Sequence, residues 1–84
     1  MARNKSALSD AFSRVVKKHR EGKEISRAAL AERSGLHQTY IGLLERAERS
    51  PNLDTAKAIA DALGIPLGQL ISEAEQISTQ PPRD

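Results

Sequence analysis

Apolar residues return at three- and four-residue spacing along most of the chain, and no stretch alternates in the manner of a strand. Leu8, Ala11, Phe12, Val15, Val16 and His19 form the first such stripe. It predicts a helix capped by Ser6 or Ser9 and stopped by Gly22, with Arg14, Lys17, Lys18 and Arg20 largely off the apolar side. Ser26 is a good cap for a short second helix holding Ala29, Leu30 and Ala31, and Gly35 supplies the left-handed turn that ends it. Leu36 anchors that turn. A third helix is expected from about Gln38 to Glu45, with Ile41 and Leu44 facing inward. Pro51 punctuates the chain and Asn52 caps a fourth helix. In that helix Leu53, Ala56, Ile59, Ala60 and Leu63 are core candidates, and Gly64 closes it. Pro66 suits the first turn of a fifth helix, whose apolar face carries Leu67, Leu70 and Ile71. The expected architecture is a compact all-α domain of five helices over residues 7–77. A basic arm at 1–6 and a polar tail at 78–84 are both expected to be disordered.

At 84 residues the chain can form one small domain with a thin core, which calls for efficient helix packing or a partner subunit. Cysteine is absent. That excludes disulfide staples and thiolate metal sites and fits a reducing compartment, so a cytoplasmic location is expected. No apolar run approaches the roughly 20 residues of a membrane span, and the start lacks the apolar stretch of a signal peptide. The aromatic residues are Phe12 and Tyr40 alone, too few for base stacking on single strands to be the main mode of binding.

Net charge is only +2, but it is unevenly placed. Residues 1–23 carry seven basic side chains against Asp10 and Glu21, a net of +5, whereas residues 50–84 have a net of −3. A basic front and an acidic rear suit a protein that turns one face to a polyanion.

The informative stretch runs from Arg27 to Arg46. Small Ala31 permits a close helix crossing, Gly35 bends the chain four residues later, and Leu36, Ile41 and Leu44 lock the following helix onto the core. The other side of that helix must then face outward. Text such as ISRAALAERSGLHQTYIGLLERAERSPNLDTAKAIADALGIPLGQLI resembles the phage repressor/Cro family of helix-turn-helix proteins, which includes restriction–modification controllers and some antitoxins. The resemblance covers roughly residues 10–72. It implies a lambda-repressor-like five-helix domain that binds operator DNA, and a structural pair between Arg20 and Glu45. The chain departs from the family pattern at three places. Arg27 stands where Gln is usual, in a position that holds phosphate and a neighbouring side chain. Glu24 replaces the usual Gly before the second helix, so a different first loop is expected. Ala47 replaces the Gly after the third helix, so either that helix extends or Ala47 sits at positive φ.

On this reading Gln38, Thr39 and Leu43 contact bases, with Gly42 leaving a bare patch between them. Gln pairs with adenine, and the Thr39 methyl or Leu43 meets thymine methyls. No Arg or Lys lies between His37 and Leu44, which points to A·T pairs at the directly read positions. Leu43 reads equally as a core residue. Arg27, His37, Arg46 and Arg49 are expected at phosphates, the alternative for the last two being ion pairs with Glu45 or Glu48. His19 is expected as a packed residue at the core edge, and the two histidines lack the spacing of a metal pair. Leu67, Leu70 and Ile71 exceed what one thin domain can bury and are assigned to a homodimer interface.

The predicted function is a sequence-specific regulator that binds a pseudo-palindromic operator in double-stranded DNA as a homodimer. The alternative is an antitoxin or other protein-interaction module, for which the tail, without an apolar residue after Ile77, is a poor anchor. A non-specific nucleoid binder fits the modest charge badly. The sequence carries no catalytic constellation and calls for no cofactor, metal or small-molecule ligand.

Overall fold

The computed structural model describes residues 7–78, so the expected arm at 1–6 and all but the first residue of the expected tail lie outside it. Five helices follow one another: α1 (Ala7–Gly22), α2 (Arg27–Ser34), α3 (Gln38–Glu45), α4 (Leu53–Leu63) and α5 (Leu67–Ser78). Among the described residues there is no strand. α1 lies along α5, while α2 packs on both α3 and α4. The core is drawn from every helix. Val15, Val16, Leu30, Ile41, Leu44, Ile59 and Leu70 are fully buried, and Ile25 and Ile65 join them from the connections.

Local signals explain where the helices begin. Ser26 Oγ accepts from the Ala29 amide and Asn52 Oδ1 from the Thr55 amide, each satisfying a first-turn donor. α5 starts one residue later than expected, with Pro66 outside it and the Pro66 carbonyl accepting from the Leu70 amide.

The helix ends share a single device. At the close of α1, α2, α3 and α4 the chain makes a six-to-one backbone hydrogen bond: Ile25 to Arg20, Leu36 to Ala31, Glu48 to Leu43 and Ile65 to Ala60. A five-to-two bond accompanies each. This pattern demands one left-handed residue per helix end. Gly35 and Gly64 fill the role at φ 72° and 73°, but Glu24 and Ala47 fill it at 58° and 61°. The first loop therefore makes the left-handed turn without glycine, on Glu24. Gly22 is not the residue that turns the chain. α3 ends on schedule, with Ala47 at positive φ.

Two assignments of apolar residues need correction. Leu70 is fully buried within the monomer, so it cannot belong to a surface through which copies meet. Leu53, expected in the core, is 76% exposed because it opens α4 and its turn projects past the packed face. Leu8 is also exposed, near the start of α1. Leu67 and Ile71 are partly buried against the core. At the core edge His19 Nε2 lies 2.8 Å from Glu73 Oε1 and ties α1 to α5. Hydrogen bonds from Gln69 and His19 hold the Glu73 carboxyl below its usual range.

Candidate nucleic-acid interface

α2 and α3 meet across the Gly35 turn, and Ile41 and Leu44 fasten α3 to the core with no exposure. At about 100° per residue, Gln38, Gly42, Arg46, Thr39 and Leu43 then share an outward arc of about 140°. Gln38 and Thr39 are exposed, and Leu43 is half-buried without joining the core cluster. An open polar cleft runs beside this arc, lined by Arg27, Gln38, Thr39, Gly42 and Arg46. Gly42 is not the bare patch that the sequence led one to expect. It is buried, and a Cβ placed on it would stand 3.3 Å from Nη1 of Arg46.

Beneath the cleft lies Glu45, whose side chain is 1% exposed. It takes Nε of Arg20 at 2.5 Å and Nη2 at 3.1 Å, so the pair implied by the resemblance is present. A third hydrogen bond, from Arg20 Nη1 to the Ile25 carbonyl at 2.8 Å, completes the guanidinium. The bond to Glu45 holds the Arg20 pKa above its usual value, and burial opposes it. Glu45 Oε1 also accepts from Nε of Arg27 at 3.0 Å. The arginine that replaces the family's glutamine is thereby positioned from below by a buried carboxylate, with its guanidinium still partly exposed at the cleft.

The remaining expected contacts lie around the rim. His37 precedes α3 in extended backbone and is exposed, and its side chain caps nothing. Arg49 is exposed beyond α3, near enough to Tyr40 to counter the upward pull of burial on that phenol. Arg46 pairs through Nε with Glu48 at 3.3 Å. Sequence reasoning confined base readers to His37–Leu44 and so assigned Arg46 to the backbone. Its spacing of four from Gly42 returns Arg46 to the same face of the helix, where it lines the cleft with Gln38 and Thr39. Among the described residues no group of three or more His, Asp or Glu side chains is placed to hold a metal ion, and no helix is long and apolar enough to cross a membrane.

Comparison with known proteins decides the family. The model of the helix-turn-helix family matches residues 16–70, which contain α2, the turn and α3 entire. The chain belongs to the helix-turn-helix family of DNA-binding transcription regulators. This is a family of regulators, not of enzymes. The chain is 37% identical over 65 residues to the control protein C.SmaI of Serratia marcescens, covering 77% of each chain. It is 31% identical over 65 residues to the immunity repressor of Bacillus phage phi105, spanning 77% of this chain but only 45% of that repressor. Among solved structures, the restriction–modification controller protein C.AhdI from Aeromonas hydrophila superposes with a TM-score of 0.70 at 33% identity, over 75% of this chain and 94% of that one. The all-α, five-helix architecture is thus the fold of helix-turn-helix regulators, as the sequence resemblance implied.

Proposed function

We propose that this helix-turn-helix chain is a cytoplasmic repressor or controller that binds a pseudo-palindromic operator in double-stranded DNA as a homodimer. The observation that carries the reading is the outward arc of α3. Gln38 and Thr39 stand exposed at its first turn while Ile41 and Leu44 clamp the opposite side. The start of a recognition helix is the part that enters the major groove. Gln38 presents an amide that matches adenine, and the methyl groups of Thr39 and Leu43 match thymine. Arg27, His37 and Arg49 surround this arc and are assigned to phosphates, which position the protein without reading sequence. The names of the control, repressor and controller relatives favour a regulatory role of the same kind.

The surface left over supports the dimer in this reading. Leu53, Leu8 and Ile71 border a shallow apolar depression with Phe12, Pro51 and Ala56. A second copy covering this patch buries Leu53 and doubles the phosphate contacts available to a chain of net charge +2. Selection of bound duplexes from a random library tests the whole reading. A pseudo-palindrome with half-sites about 34 Å, or one helical turn, apart is expected. Recovery of no shared sequence would sink it.

A further inference from the structure

Two arginines border the outward arc of α3, and each is held by a carboxylate through Nε: Arg27 by Glu45 and Arg46 by Glu48. In both, the Nη1–Nη2 end of the fork is left for another partner. A guanidinium offers paired donors of the kind that match O6 and N7 of guanine. The two settings differ, however. Arg27 opens α2, beside the Ser26 cap, at the margin of the cleft. Arg46 hangs from the last turn of α3 and folds back along the helix, so that Nη1 lies over Gly42 and its guanidinium joins the cleft lined by Gln38 and Thr39.

We propose that Arg46 reads a guanine in each half-site, and that Gly42 is glycine because a Cβ there, 3.3 Å from Nη1, would shift the reading guanidinium by a few tenths of an ångström. The inference rests on the operator-binding reading above and names one of its bases. Glycine inside a helix is unfavourable, so its presence on the reading face asks for a reason. The 3.3 Å approach supplies one, since a Cβ would force the neighbour to give. Glu48 argues for a base over a phosphate. Arg46 brings that carboxylate with it, and a phosphate approaching the pair meets a like charge, whereas the guanine edge is neutral and offers acceptors. A G·C pair therefore joins the A·T pairs expected from Gln38 and Thr39.

The test uses the full chain and duplexes in which each base pair of the selected operator is replaced in turn. The wild type is expected to lose on the order of tenfold or more in affinity when one particular G·C pair per half-site is changed. Arg46→Ala should bind all four pairs at that position equally while keeping its preferences elsewhere. Gly42→Ala, which retains every charge, should weaken the guanine preference severalfold. The Arg46 side chain is 57% exposed, so its removal leaves the fold intact, and circular dichroism checks both variants. An even loss on every duplex with Arg46→Ala, with the salt slope reduced by about one, overturns the proposal in favour of a phosphate contact. A guanine preference untouched by Gly42→Ala overturns the seating of Arg46 on glycine. If the wild type selects no operator at all, the failure belongs to the operator reading. An operator without an Arg46-dependent pair counts against this inference alone.

Discussion

Arg20 and Glu45, 25 residues apart in the chain, close a two-point ion pair in the interior, Nε to Oε2 and Nη2 to Oε1. The pair joins α1 to α3, and Arg27 extends it to α2 through the same carboxylate. One buried acid thus fixes the orientation of α3, the helix proposed to face DNA, against two of its neighbours.

Removing one member of such a pair strands the other without compensation. Glu45→Ala is expected to cost about 3–5 kcal/mol, because buried Arg20 then keeps only the exposed carboxylate of Glu21, 3.8 Å away. Arg27→Ala should cost no more than about 1 kcal/mol, since its side chain is 44% exposed and solvent screens it. Replacing both buried partners, Arg20→Met with Glu45→Leu, should cost less than Glu45→Ala alone. Urea denaturation of the three variants checks the order. Equal small losses for Glu45→Ala and Arg27→Ala would show that the pair does not hold the fold.

The left-handed helix ends predict a gain. A side chain at this backbone conformation costs about 1–2 kcal/mol relative to glycine, part of which glycine returns through its greater freedom in the unfolded chain. Ala47→Gly and Glu24→Gly should each stabilise by about 0.5–1 kcal/mol, additively because the two sites terminate different helices. Gly35→Ala should destabilise by a comparable amount. Thermal melts would contradict the assignment if Ala47→Gly lowered the midpoint.

Much of this was legible in the sequence, and the misses have physical causes. Caps at Ser26 and Asn52 and the turn at Gly35 announce themselves by residue type, because few residues make those bonds or adopt that φ. Periodicity, by contrast, marks Leu53 and Leu70 alike. It gives the face of a helix but not how far along that face the core extends. Leu53 opens α4 beyond the packed zone and Leu70 sits within it, so their burial is the reverse of what was expected. Glu24 hid its turn because sequence reading looks for glycine. The hydrogen bond from Ile25 to the Arg20 carbonyl, with Ile25 buried, goes with the left-handed residue regardless. Arg46 was read apart from the outward residues because it lies beyond Leu44, although the helical repeat returns it to the same side as Gln38 and Gly42.

Base and backbone contacts separate experimentally. Gln38→Ala is expected to weaken binding to the selected operator by about 1–3 kcal/mol and to leave affinity for random duplex nearly unchanged. Arg49→Ala should weaken both alike and reduce the salt slope by about one. Titrations at several salt concentrations distinguish them. Equal losses on both DNAs for Gln38→Ala would move that residue to a positioning role.

The exchanged fates of Leu53 and Leu70 give the sharpest test of assembly. Leu70 is buried at the junction of α5 with the core, and a lysine there has neither room nor a partner for its charge. Leu70→Lys should therefore unfold the chain, and no conclusion about dimers can come from it. Leu53 is three-quarters exposed, so Leu53→Lys leaves the monomer's packing untouched. If the apolar depression bounded by Leu8, Leu53 and Ile71 is where two copies meet, that charge enters the middle of the interface and must be desolvated on association. The expected result is a chain with the wild-type circular dichroism spectrum that sediments as a monomer at concentrations where the wild type is dimeric. It should bind a single half-site as well as the wild-type monomer does. On the full operator it should lose the steep gain that comes from tethering two half-site contacts in one molecule. A Leu53→Lys protein that stays dimeric and binds the full operator normally would place the interface on another face.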